Sequence, residues 1–279
     1  MDYLNTPSLL VENVAEYGGC PIHYWTTPDM SKPLIVMMHG ATMDHRMFND
    51  QVAVLADDYS ILVWDARGHG KSQPSGNEPI SMDVFVDDML HILDRHNIET
   101  FIPMGQSLGG YMAQYLYKRV PERIDAMIVI GATPIAKAYS RFDMWALKAS
   151  LPIIKLIPYN SFAKMVAQAT AIKEPVQAYA LEAVRTVPKE EFSRIWEAVM
   201  FAVDANGLPD FRIDCPLLLV HGDQDTTGSI KRDMPVWYEN EPHAEFHIIP
   251  DAGHNANQDN PTRVNQLVID FLARHIVTA

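Results

Sequence analysis

The stretch Ile98-Glu-Thr-Phe-Ile-Pro-Met-Gly-Gln-Ser-Leu-Gly-Gly-Tyr-Met112 decides the fold, because a short apolar run stops at Gly105 and a helical pattern begins at once after Ser107. Gly105-Gln-Ser-Leu-Gly109 is G-x-S-x-G on a strand-to-helix turn. Glycines at 105 and 109 carry no Cβ, so strand and helix can approach closely and Ser107 can sit in a tight turn with its hydroxyl exposed. Glycine and serine also make ordinary connections, so context carries the reading. Phe101 to Met104 suits a short buried strand, and Tyr111, Ala113, Gln114, Leu116 and Tyr117 continue a helix that Pro121 forbids from going further. Ser107 reads as a nucleophile that needs a base.

Working outward, residues 33–38 are continuously apolar, as strands buried on both faces are, and 59–64 read as the next strand, with an amphipathic helix from about Arg46 to Leu55 between them. Residues 9–17 and 21–26 flank Gly18-Gly19 as a hairpin, an antiparallel edge to the sheet. Ser81 caps a helix whose stripe is Phe85, Met89 and Ile92, and residues 123–130 form a further strand. From Pro134 to about Pro209 the alternation stops. Helices are expected over 138–149, 160–171, 173–186 and 189–204, separated by Pro152, Pro158, Pro175 and Pro188. The β-α pattern resumes with a strand over 215–220, a helix near 229–240, a strand over 244–249 and a last helix over 261–275. This order predicts an α/β fold with a mostly parallel, doubly wound sheet. Residues 1–133 and 210–279 would form its core, and 134–209 an all-helical cap inserted between strands six and seven.

Composition narrows the classes of partner. The chain has 279 residues, 48% of them hydrophobic, which suits one large domain with a sizeable core. A formal charge of −13, with no Lys/Arg cluster to offset it, repels phosphate backbones and anionic lipid, so neither nucleic acid nor membrane is expected as a partner. Met1 to Ser8 has no basic region followed by an apolar one, and no apolar run approaches the ~20 residues that cross a bilayer. Cys20 and Cys215 show no metal-binding or C-x-x-C spacing and fit a reducing cytoplasm. The eleven histidines form no metal motif, so neither metal nor cofactor is expected.

Two late loops offer what a serine nucleophile needs: His221-Gly-Asp-Gln-Asp225, and Asp251-Ala-Gly-His254 after the strand that ends at Ile249. In an open α/β sheet the carboxyl ends of the strands share one edge, so Ser107, an acid of the first loop and His254 can converge. Asp65 and Arg67, in the loop Asp65-Ala-Arg-Gly-His-Gly-Lys-Ser72, read as backbone braces.

With these pieces in this order, alongside His39-Gly40 after the third strand, nearly the whole chain resembles the α/β-hydrolases. The resemblance implies Ser107 as nucleophile, His254 as general base and then acid, and Asp225 as the carboxylate that orients the imidazole. It selects Asp225 over Asp223, because the family's acid stands three residues after the glycine. It also implies an oxyanion hole of backbone N–H groups from Leu108 and Ala41. No His-Gly-Gly-Gly run is present, so Thr42 is an alternative donor, and His39 would order that loop.

A serine nucleophile disfavours the family's epoxide hydrolases and dehalogenases, which attack with a carboxylate. The expected substrate is a small to medium, fairly apolar carboxylic ester; the alternatives are a C–C bond, a lactone or a thioester. A different class, a ligand-binding receptor with weak turnover, remains open on the same fold. The cap offers Met144, Trp145, Ile154, Phe162, Met165, Trp196, Met200 and Phe201. Such residues at helical spacing commonly pack a core, so none is assigned to substrate. The basic residues of the cap, Arg141, Lys148, Lys155, Lys164, Lys173 and Arg185, are expected on its solvated outer faces.

Overall fold

Leu34–Met38 (β3) is buried at every residue, and the pleat sends Ile35 and Met37 into one apolar cluster and Leu34, Val36 and Met38 into another. Ser60–Trp64 (β4) splits likewise, Ile61 and Val63 against Leu62 and Trp64. A strand covered on both faces has no polar side to present, which is why these runs carry no alternation. The computed structural model describes residues 3–203, 206–208 and 210–277, without the side chains of 141, 142, 146, 148, 151, 153 and 155. The expectations for Met1, Asp204, Pro209 and the side chains of Arg141, Lys148 and Lys155 lie outside the described residues; Lys164, Lys173 and Arg185 are exposed.

Around β3 the remaining strands are Val11–Tyr17 (β1), Cys20–Thr26 (β2), Ile102–Gln106 (β5), Met127–Ile130 (β6), Leu217–Gly222 (β7) and Ala244–Ile249 (β8). They form one eight-stranded sheet in the order β1-β2-β4-β3-β5-β6-β7-β8. The β1/β2 hairpin is an antiparallel edge, β2 meets β4 antiparallel, and every other pairing is parallel. Asn49–Leu55 (α1) and Pro261–His275 (α10) cover one face. Met82–Arg95 (α2), Leu108–Arg119 (α3) and Ile230–Asn240 (α8) cover the other. Among the described residues, four helices stand between β6 and β7: Arg141–Leu156 (α4), Tyr159–Thr170 (α5), Glu174–Thr186 (α6) and Lys189–Ala202 (α7). No helix is long and apolar enough to cross a membrane among the described residues.

Several boundaries differ from expectation, among them a strand expected over 215–220 that is Leu217–Gly222 and a helix expected from 138 that begins at Arg141. The strand expected over 123–130 is Met127–Ile130 alone, because Pro121–Arg123 closes into a 3-10 turn and Ile124 makes only an isolated bridge to Phe101. A 3-10 turn, His45–Phe48, precedes α1. Pro152 does not end its helix: α4 runs on to Leu156 and Pro235 likewise lies inside α8. A proline in a helix interior costs about 3 kcal/mol. Ile154 and Ile157, just beyond Pro152, pack against the apolar cluster beneath, and that burial offsets the loss.

At the corner from β5 to α3 the glycines have no room to be anything else. A Cβ on Gly109 would stand 1.9 Å from the carbonyl oxygen of Met38, and one on Gly105 would stand 2.1 Å from that of Gly109. Gly109→Ala therefore has to move backbone, and it is expected to lower stability by about 3 kcal/mol or more, the upper end for overpacking. The midpoint of urea unfolding measures this; an unchanged midpoint would show that the corner is looser than the contacts imply.

Candidate active site

Ser107 is the single residue between β5 and α3, and its backbone lies at φ 51°, ψ −112°. Its N–H donates to the carbonyl of Ile130 (2.8 Å), which holds the turn against β6. For a residue with a Cβ such a conformation costs about 1–3 kcal/mol and persists only where its surroundings enforce it. The serine side chain makes no capping hydrogen bond to α3. Leu108 is the first residue of α3, so its N–H has no partner within the helix.

The two late loops meet as the strand order requires. His254 Nδ1 lies 2.9 Å from Asp225 Oδ2, and Asp225 Oδ1 accepts the N–H of Thr227 at 2.8 Å. Both side chains are buried. Burial pushes the Asp225 carboxyl up, but His254 and the Thr227 N–H more than offset it, and the group lies below its ordinary value. A carboxylate on Nδ1 assigns the proton there and leaves Nε2 as the basic nitrogen. Asp223 is exposed and does something else: its Oδ1 accepts the N–H of Ala252 at 3.2 Å, pinning one loop to the other.

Several residues that hold His254 were not singled out from sequence. Gln106 Nε2 donates to the His254 carbonyl at 3.0 Å, and the Asn255 N–H donates to the carbonyl of Thr170 at the end of α5 (2.7 Å). Asp259, in the short helix Ala256–Asp259 (α9), takes the N–H groups of Gly253 at 2.8 Å and of Ile172 and Lys173 at 3.0 Å each. One carboxylate thus ties the histidine loop to the link between α5 and α6. Burial raises its pKa, against the pull of those donors. Gln106 sits inside the serine motif and had a signal by position; Asp259 reads in sequence as an ordinary acid near a helix start.

The loop after β3 is held by His39, whose Nε2 accepts the Ala66 N–H at 2.9 Å. Nδ1 is therefore the protonated nitrogen and donates to the Gly40 carbonyl at 2.8 Å. Burial lowers the His39 pKa, in keeping with a neutral ring. Beyond it, Asp65 accepts the N–H groups of His45 and Lys71, and Arg67 bonds Asp88, Tyr17 and Ser75 in the interior. Both residues brace backbone. Asp44, His45 and Asp65 place possible ligand atoms within 4.8 Å of one another, but those atoms are engaged, His45 Nδ1 by Asp65 and Asp44 by Arg46.

Two cavities, of about 150 Å³ and about 370 Å³, meet at Ser107 and share Ala41, Trp196 and Thr227 in their walls. His254 lines the smaller. Of the apolar insert residues singled out from sequence, Ile154, Phe162 and Trp196 reach these cavities, whereas Trp145, Met165 and Phe201 face outward. The site therefore gathers Ser107, His254 and Ala41 on one apolar space, with Asp225 behind the imidazole.

The family model described as "Serine aminopeptidase, S33" matches residues 29–260. The chain is 26% identical over 267 residues to 3-oxoadipate enol-lactonase 2 of Acinetobacter baylyi, covering 91% of this chain and 93% of that protein. It superposes on the enol-lactonase of Burkholderia xenovorans with a TM-score of 0.80 at 22% identity, over 94% of this chain and 100% of the other. A thermophilic esterase from Thermogutta terrifontis gives a TM-score of 0.80 at 20% identity, over 96% and 99%. The two superpositions show a shared fold.

Proposed function

Because the chain belongs to the family described as serine aminopeptidase within the α/β-hydrolase superfamily, and is thus a hydrolase, we propose that it cleaves small to medium apolar carboxylic esters through an acyl-enzyme. The observation that carries this is the 2.9 Å bond from Asp225 to His254 Nδ1 beside a cavity that His254 shares with Ser107. In this reading His254 Nε2 takes the proton of Ser107 as Oγ attacks the acyl carbon. Asp225 holds the tautomer and stabilises the imidazolium. The N–H groups of Leu108 and Ala41 receive the developing oxyanion. Ala41 is preferred to Thr42 because it borders both cavities beside Ser107, whereas Thr42 borders one. The alkoxide leaves with the proton from His254, and water, activated by the same nitrogen, releases the acid. The helices α4 to α7 act as a cap, of which α4, α5 and α7 wall this space.

No cofactor enters any of these steps. A reducing, cytoplasmic setting is part of the proposal and is supported by two free cysteines, Cys20 and Cys215. A lactone, which is an ester closed on itself, is the second reading, favoured by the lactonase relative that spans 91% of the chain. C–C hydrolysis is less favoured. It needs polar groups placed for a carbanion or enol leaving group. The insert residues that wall the smaller cavity are apolar or aromatic except Thr170, and the hydroxyls the insert brings to the space, Thr170, Tyr139 and Ser150, are already bonded to the Val166 carbonyl, Thr133 and the Leu147 carbonyl.

A substrate panel tests the reading. Short-chain 4-nitrophenyl esters are expected to turn over readily, long-chain triglycerides poorly and vinylogous β-diketones slowly. Efficient C–C cleavage with negligible esterase activity would reject the proposal, and folded protein inactive on every class would favour a binding role.

A further inference from the structure

We infer that the two cavities divide an ester unequally, with the acyl chain in the 370 Å³ space and the alcohol in the 150 Å³ space. The preferred substrates are then esters of larger apolar acids with smaller alcohols. The inference rests on Ser107 and His254 acting as proposed above.

Position supplies the first argument. Both cavities border Ser107, Ala41, Trp196 and Thr227, so the carbon under attack sits where they join and its two substituents must part there. The leaving oxygen has to come within about 2.6–3.2 Å of the imidazole that protonates it. His254, with Gln106 and Asn255, lines the smaller cavity, so the alcohol departs on that side. The acyl substituent is left with the other cavity. In the step concerned the Ser107 Oγ–C bond forms and the C–O bond to the alcohol breaks. The proton lost by Ser107 travels through His254 to the alkoxide.

Size and chemistry supply the second. Taking about 30 Å³ as the share of one water-sized group, the smaller cavity holds about five such groups and the larger about twelve. Met43, Phe162, Val166 and Phe192 close the smaller one with apolar walls. The larger contains Leu147, Val199, Val203 and Ile230, together with Tyr111, Thr133 and Tyr139. Those three hydroxyls are bonded to one another, Tyr111 to Thr133 at 2.7 Å and Thr133 to Tyr139. Each of these three hydroxyls already has a partner, so an apolar chain entering there meets a smaller desolvation penalty from them than free hydroxyls would impose.

Methyl octanoate and heptyl acetate are isomers that carry the same heptyl chain on opposite sides of the ester, so they separate orientation from hydrophobicity. Their kcat/KM values report acylation, the step in which the alcohol leaves. The wild-type protein is expected to favour methyl octanoate by about tenfold or more, the range that a few methylenes in an apolar pocket supply. Val199→Phe, which narrows the larger cavity, is expected to lower that preference about tenfold; if this variant does not fold, the wild-type ratio decides alone. Equal rates or a preference for heptyl acetate, with 4-nitrophenyl acetate still hydrolysed, would overturn the division while leaving the serine-hydrolase reading in place. Failure to hydrolyse any ester would overturn both.

Discussion

Replacing Ser107 by alanine is expected to lower ester hydrolysis by about 10⁴-fold or more, the scale on which a triad nucleophile is lost, while leaving the fold intact. The separation of the two effects follows from the turn. Alanine keeps the Cβ that already sits at φ 51°, and the hydroxyl it removes makes no capping bond to α3. The unfolding midpoint should therefore correspond to a change within about 0.5 kcal/mol. Rates on a short-chain 4-nitrophenyl ester, read beside a denaturation curve, check both halves. A fluorophosphonate probe should label Ser107 in the wild type, and labelling at a different serine would sink the assignment.

The second large effect is expected at Asp225, with Asp223 as the internal control. Asp225→Asn places an amide where His254 Nδ1 now meets a carboxylate oxygen at 2.9 Å, so the imidazole is offered a donor as readily as an acceptor and the wrong tautomer becomes competitive. A fall in kcat of about 10⁴-fold is the scale for that error. Asp223→Asn keeps a carbonyl oxygen able to accept the Ala252 N–H and leaves His254 untouched, so a change of a few-fold at most is expected. Comparable losses from both variants would show that the loop as a whole, and not one carboxylate, supports the histidine.

The difference between those two acids also shows what sequence can carry. Asp223 and Asp225 stand in one loop, equally acidic and equally placed after β7; spacing from Gly222 separated them only through likeness to a family. The parallel strands were legible because full burial leaves a run such as Leu34–Met38 no polar face. The serine turn was legible because its glycines answer to a close local approach. Contacts that join distant segments left no such trace. Asp259 meets Ile172 and Lys173 across the sheet edge, and Gln106 meets the carbonyl of His254, each decided by how loops fall together after the strands are in place. Proline misled for a related reason: Pro152 speaks for its own backbone, whereas the apolar contacts of Ile154 and Ile157 speak for the whole helix.

The conformation of Ser107 also bears on how freely the rest of the chain can drift. A domain of this kind is stable by about 5–15 kcal/mol, and one backbone angle at position 107 withholds about 1–3 kcal/mol of what a relaxed turn would give. Most substitutions elsewhere subtract from the same reserve, since proteins sit not far above the threshold at which they cease to function. A loss of about 1 kcal/mol in the core, harmless in a scaffold with a relaxed turn, therefore lands closer to that threshold here. Robustness to mutation across both faces of the sheet is thus partly set at a single residue of one turn.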